Sequence, residues 1–487
     1  MASFLHEHQK EHNMKYYALF LLLILTGCFP HCYRGRPLSL ECTDICQNVQ
    51  EAFESQSVCG GVYPNEAWWT FFQDSQLDFL IETALAVHPD INIAEARILL
   101  AREEALETRS ALLPHFFLFG DITREKLSQF ASRTQGSASL EYITEATFLL
   151  SSASYELDIW KKNRNTYYAA IDEMFAAIAD FEEAKLLLST TIASVYFDLQ
   201  YRLELIRIAR ERLKAREELY ALLKQRFDNG IIDQFELYET DTEVQMIRDA
   251  LYQLEGMAAV DRHALAALVG NPACIELDFV PSAIFDTPLP LPCTLPIDLL
   301  VRRPDISAQR WRIEASCLNI QVAKANFFPE IDLMGYIGYS SFRLSKLFEK
   351  STLTWMAEAV GKLPVFTAGK LQAKLGIARE QFEIAIENYN QLVLNAVQEV
   401  SDALTELTTA DVRIVALKRG IEDSKALYDL TYQRFENKIA DRIAVLNAVE
   451  DVLIKEALVI SVQLDRFQSA VSLIKAIGGG YYDCSCR

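Results

Sequence analysis

Glycine and proline are scarce in this 487-residue chain, 18 and 14 respectively, and unevenly placed. No proline falls between Pro114 and Pro272, and none follows Pro364. Such rare punctuation points to very long helices and argues against a compact α/β enzyme. Histidine is also rare: there are seven, and three of them (His6, His8, His12) precede Met14. No G-x-S-x-G elbow, P-loop or H-E-x-x-H motif occurs, so the usual signatures of hydrolases, nucleotide-binding enzymes and zinc proteases are missing. No cofactor is implied, and no metal site either. The formal net charge is −20, which argues against a nucleic-acid partner, since no basic stripe is evident to neutralise phosphates.

What is present begins at the amino terminus. The stretch MKYYALFLLLILTGC (14–28) has a lysine, then an apolar run of roughly ten residues, too short to span a bilayer but of signal-peptide length. Its end, Leu25-Thr26-Gly27-Cys28, resembles a bacterial lipobox, where cleavage precedes the cysteine and its thiol receives a diacylglycerol. Residues 1–27 are therefore expected to be a signal peptide, with Met14 a well-formed alternative start and Cys28 the site of lipid attachment. Phe29 follows, where aspartate often retains lipoproteins in the inner membrane, so outer-membrane sorting is expected. Of the ten cysteines, Cys32, Cys42, Cys46 and Cys59 crowd a segment spanning 28–66, and Cys484 and Cys486 sit in a tail spanning 481–487. In an oxidising compartment disulfides are the expected use, with connectivity left open.

The main signal is an internal repeat. VHPDI (87–91) and RRPDI (302–306) share Pro-Asp-Ile, and each proline is followed 25 residues later by another, Pro114 and Pro329. At this offset of 215, Leu118 matches Leu333 and Gly120 matches Gly335. The offset then settles at 208, where QRFDNGIID (225–233) matches QRFENKIAD (433–441), and Gly270 and Gly478 close the copies. The chain reads as two repeats, 67–270 and 297–480, around a Pro-rich connector, 271–296.

Each repeat has the same grammar: a helix from Pro89 or Pro304, a β-hairpin (114–160; 329–366), then long helices (164–269; 370–477). In the second hairpin Ile331, Leu333, Ile337 and Tyr339 alternate with Glu330, Asp332, Met334 and Tyr336, giving one apolar and one polar face. Residues 163–229 contain neither glycine nor proline, and 164–227 alone make a rod of roughly 96 Å. The helices 233–269 and 304–328, end to end, equal that rod, which suggests that they form one returning column. Four strands cannot close a membrane barrel, because open edges are not tolerated in lipid. Either the hairpins form a soluble sheet, or several chains pool their strands.

Three segments carry a family likeness: residues 67–98, residues 295–339 and the strand end YELDIW (155–160). They resemble the TolC-like outer-membrane factor family, in its NodT/OprM-type lipoprotein branch. The likeness implies a mainly α fold with β: a homotrimer with a periplasmic α-barrel and a twelve-stranded transmembrane β-barrel. It implies a passive exit duct for drugs or other small molecules, working with a periplasmic adaptor and an inner-membrane efflux transporter. Type I protein secretion, metal efflux or a poreless periplasmic coiled-coil scaffold are the alternatives. By the same likeness, Asp228, Asn229, Gly230, Glu436, Asn437 and Lys438 form adaptor-docking tips. Family members often carry aspartates after the second tip, where this chain has Ala444 and Asn447. The first tip instead carries Glu236 and Glu239, which with Asp233, Asp441 and Asn447 are the expected periplasmic aperture.

Overall fold

The computed structural model describes residues 65–126, 142–270, 279–281, 283–286 and 302–481. The expected signal peptide, Cys28, most of the Pro-rich connector and Cys484 and Cys486 lie outside them. Among the described residues, seven α-helices and four strands follow in order: α1 (Ser75–Val87), α2 (Pro89–Ser110), β1 (Phe116–Glu125), β2 (Ile143–Glu156), α3 (Lys162–Asp228), α4 (Gln234–Val269), α5 (Pro304–Ala325), β3 (Glu330–Ser341), β4 (Leu353–Lys362), α6 (Lys370–Glu436) and α7 (Arg442–Ala476).

The repeat is exact in length where it matters: α3 and α6 each have 67 residues, about 100 Å, and α2 and α5 each have 22. Pro89 and Pro304 stand at the first turn of their helices, where a missing N–H costs nothing. Both helices end three residues earlier than the sequence pattern suggests, in a turn before Pro114 and Pro329.

The rods lie side by side in a fixed order. α3 packs against α2 and α4 on one side and against α5 and α7 on the other, and α6 packs against α5 and α7. The short helices do run end to end, but their pairing corrects the sequence reading. Gly270, closing α4, abuts His88 at the head of α2, not α5. Gly478, closing α7, abuts Arg302 at the head of α5, and Arg303 Nη1 donates to the Ala476 carbonyl at 3.2 Å. The reason is the connector: its described part crosses the molecule sideways. Gln76 and Gln200 both bond the Val280 carbonyl, and Gln463 donates to that of Phe285 at 3.2 Å. The chain thus shifts one column before α5 begins.

The main core forms at this level. Trp68, Phe72, Phe197 and Phe467 are fully buried, joined by α1 residues Leu77, Leu80 and Ile81. Trp68 Nε1 donates to Ser189 Oγ at 3.3 Å. Asp74 caps α1, accepting from the backbone N–H of Gln76 and Leu77, and its other oxygen accepts from Tyr196 Oη at 2.8 Å. Each hairpin of long helices carries an ion-pair clasp between its arms. Glu217 (α3) holds Arg248 (α4) at 2.7 Å, and Lys425 (α6) holds Glu456 (α7) at 3.0 Å. These positions are equivalent at the 208 offset, with the charges exchanged.

The strands form one antiparallel sheet in the order β1-β2-β3-β4. Gly338 sits where a Cβ would meet the Phe148 carbonyl oxygen of β2, so only glycine fits that crossing. Among the described residues no helix is long and apolar enough to cross a membrane.

Candidate functional site

The two tips are built alike. Asn229 and Asn437 follow the last residues of α3 and α6, and their side-chain amides donate to the carbonyls of Gln225 and Gln433 at 2.7 and 2.8 Å. The next residue turns the chain with positive φ, Gly230 at 70° and Lys438 at 58°. The Ile231 and Ile439 amides then reach back to the Arg226 and Arg434 carbonyls at 2.9 and 2.8 Å. Asp233 and Asp441 cap the returning helices. Lys438 therefore adopts the glycine conformation despite its side chain, at a cost of about 1–2 kcal/mol. Asp228, Asn229, Gly230, Glu436, Asn437 and Lys438 are all exposed.

The expected aperture residues fall into two groups. Asp441 and Asn447 of α7 are drawn against α3: Arg226 pairs with Asp441 at 3.2 Å, and Arg216 Nη1 donates to Asn447 Oδ1 at 3.1 Å. Asp233, Glu236 and Glu239 of α4 are exposed on the other side of the protomer, so one chain does not bring the two groups together. Around Asn447 lie residues that motif reading missed. Arg212 grips the buried Glu450 through Nε and Nη2 at 2.9 and 2.6 Å, and Arg442 holds Glu218 at 2.8 and 3.1 Å. Pairing with Arg442 lowers the Glu218 carboxyl below its ordinary range. No motif marks these pairs, since their partners are more than 200 residues apart.

Higher up, Arg303 of RRPDI is buried and pairs with Asp305 at 2.8 Å and Glu399 at 2.6 Å, a structural clamp between α5 and α6. An acidic group lies alongside: Asp172 is pushed up to about 6 by burial first, then by Glu314 and Glu173. Glu173 and Glu183 are raised as well, burial being the main cause.

The sheet has the two expected faces. Ile337 pairs with Leu150 and Trp355, Leu118 with Leu150, and Tyr339 with Phe148 and Leu353, forming an apolar face that is largely exposed. Asp121, Thr147, Ser340, Thr354 and Glu358 occupy the alternate positions of the opposite face. Strands of 10 to 14 residues match the tilted span of a bilayer. β1 and β4 are both open edges, which water tolerates and lipid does not.

Long helical rods ending in exposed tips, crowned by an apolar-faced open sheet, define the class: one stave of an outer-membrane channel. Comparison makes it specific. Residues 80–271 and 295–479 match the outer membrane efflux protein family, and the chain belongs to that family. It is 31% identical over 470 residues to the multidrug resistance outer membrane protein MdtQ of Escherichia coli O157:H7, covering 95% of this chain and 97% of that one. The toluene efflux pump outer membrane protein TtgC of Pseudomonas putida is 28% identical over 418 residues, 86% of each chain. The crystal structure of the outer membrane protein VceC of Vibrio cholerae superposes with a TM-score of 0.76 at 28% identity, covering 86% of this chain and all of that one. The protein is an outer-membrane channel component for efflux.

Proposed function

We propose that three copies of this chain close into a passive exit duct for small amphipathic or apolar molecules, continuous from periplasm to cell exterior. The observation that supports it is the coincidence of open edges. The strand order β1-β2-β3-β4 runs parallel to the rod order α2/α4, α3, α5/α7, α6, so sheet and rods are unfinished at the same two sides. Two copies would supply eight strands and three would supply twelve, and the family likeness favours three. The cargo class follows relatives named for multidrug and toluene efflux. The tips are the docking points of a periplasmic adaptor that links to an energy-supplying inner-membrane transporter, and Cys28 carries a lipid that fixes the chain to the outer membrane. Glu236 and Glu239, three apart on α4, form stacked carboxylate rings at the aperture, with Asp233, Asp441 and Asn447 adding to a cation-preferring mouth.

Native mass spectrometry in detergent should give three chains, and planar bilayers should show cation-selective steps. Glu236→Ala/Glu239→Ala should reduce that selectivity. A monomer without conductance would overturn the duct, and unchanged selectivity in the double variant would move the aperture elsewhere. Fatty-acid labelling that persists in Cys28→Ser would remove the lipid assignment.

A further inference from the structure

Charge is sorted between the two faces of the sheet. By the strand registers every carboxylate at a paired position lies on the polar face, Asp121, Glu125, Glu145, Asp332 and Glu358 among them. The paired positions of the apolar face hold one charged residue, Arg124, in a chain whose net charge is −20. Arg124 stands at the end of β1 remote from the rods, and Lys126 joins it just beyond. Their charged groups lie 5.4 and 5.5 Å from the centre of the Tyr142 ring, so one tyrosine carries two cations.

The connection between β3 and β4 adds to the same rim. It folds back onto the apolar face and sets the Phe348 ring 5.8 Å from Phe148 and 5.7 Å from Tyr339. Phe342, Leu344 and Phe348 nevertheless remain 69%, 57% and 68% exposed. The connection carries Arg343, Lys346 and Lys350 against one carboxylate, Glu349, which Lys346 holds at 3.5 Å. Among the described residues neither Arg343 nor Lys350 makes an ion pair. Apolar side chains left open beside uncompensated cations suit a lipid headgroup boundary. There the apolar parts enter the acyl layer and the cations reach the phosphates.

Register sets the spacing of the two cationic groups. Arg124 lies opposite Thr144, and Ser341, where the connection begins, lies opposite Ala146. That is two strand spacings across and two residues along, roughly 12 Å. Such a separation fits a headgroup with a phosphate at each end better than a single phosphodiester.

We infer that this rim binds a phosphorylated glycolipid of the outer leaflet, an acylated disaccharide with two phosphates. This rests on the membrane-inserted closure proposed above, which turns the apolar face to lipid and the loop end of the sheet to the cell exterior. Arg124 and Lys126 take one phosphate, and Arg343 and Lys350 take the other. The acyl chains lie against Phe342, Phe348 and the apolar face below them. Arginine suits both groups, because its planar fork meets two phosphate oxygens at once.

The test titrates the full chain, purified in detergent as the three-copy assembly, with defined lipids and counts bound molecules by native mass spectrometry. Bisphosphorylated lipid A should bind at least roughly 10-fold more tightly than its dephosphorylated form or phosphatidylglycerol. At about 5-fold per cation, Arg343→Ala/Lys350→Ala should weaken lipid A binding roughly 25-fold, and Arg124→Ala about 5-fold. Lys374→Ala removes an exposed cation of α6 and should bind as the wild type does. Equal affinity for the dephosphorylated lipid or for phosphatidylglycerol overturns the inference. So does a loss with Lys374→Ala as large as with Arg343→Ala/Lys350→Ala. Full displacement of lipid A by inorganic phosphate would reveal a site for free anions and overturns it as well. A wild-type chain that stays monomeric, or that fails to insert into bilayers, overturns instead the closure on which the inference rests.

Discussion

Asp74 is a single side chain on which the seating of the amino-terminal segment depends. It is 6% exposed, caps α1 through Gln76 N–H at 2.8 Å, and takes the Tyr196 hydroxyl of α3 at 2.8 Å. Gln200 Nε2 completes the group by donating to Tyr196 Oη at 3.0 Å. Asp74→Ala removes a helix cap, about 1 kcal/mol, and leaves a buried hydroxyl without its acceptor, about 1–3 kcal/mol. The expected local loss is about 2–4 kcal/mol. Asp74→Asn keeps one acceptor, its Oδ1 for the cap, and sets an amide NH2 opposite the Tyr196 oxygen, to which it can donate, so it should cost less than Asp74→Ala, about 1–2 kcal/mol. Tyr196→Phe removes the hydroxyl bonded to a carboxylate, worth about 1.5–3 kcal/mol. The two sites touch, so their effects should not add, and the double variant should fall short of the sum by more than 1 kcal/mol. Hydrogen exchange of the α1 amides reads this local opening directly. Burial, followed by Asp74, raises the Tyr196 phenol above its ordinary value near 10. The folded state thus holds the proton more tightly, and this stabilisation is present below about pH 10 and lost as pH rises past it. Wild type should lose α1 protection more steeply above that pH than Tyr196→Phe. Additive single-site effects, or Asp74→Ala no worse than Asp74→Asn, would refute the reasoning.

Two further outcomes follow from the same geometry. Asp172 has its carboxyl raised to about 6, so its contribution to stability is present below about 4 and lost as pH rises through 6; the full shift is about 3 kcal/mol, screened by partial exposure to ~1. Asp172→Asn should therefore be more stable at pH 7.5 and flatten thermal stability between pH 4 and 7, and a variant tracking wild type across that range would contradict this. Lys438→Gly should relieve the left-handed strain for a net gain of about 0.5–1 kcal/mol after backbone entropy, seen as roughly 2- to 5-fold slower exchange of the Ile439 and Ala440 amides. Faster exchange would show that the lysine side chain itself holds the turn.

Most of the fold was legible because it is written in punctuation. Pro89 and Pro304 start helices, the tips carry Asn with Gly or Lys, and an uninterrupted run can only be a long rod. Alternation in the second hairpin gave both faces of β3 and β4. The first hairpin was weaker to read because Phe116 to Phe119 is apolar on both faces. What sequence pattern could not give was lateral order. Length shows that two short helices equal one long one, but not which two, and the crossing of Val280 and Phe285 through the core decides it. The Arg212–Glu450 and Arg442–Glu218 ties were invisible for a related reason: each joins different repeats, and the repeat alignment itself has Gly420 and Ala426 in their place.

The exchanged clasps bear on biogenesis. A chain that contains the same hairpin twice runs the risk that the hairpins exchange arms, α7 taking the face of α3 that belongs to α4, and α4 the matching face of α6. In those mispaired hairpins Glu217 would face Glu456, and Lys425 would face Arg248, two repulsions in place of two attractions. The reversal costs nothing in the correct pairing, since either polarity makes the same bond. It acts only against the wrong one. Nascent chains travelling to the outer membrane in close company face this choice between molecules as well, and the same two pairs tell each arm which partner is its own.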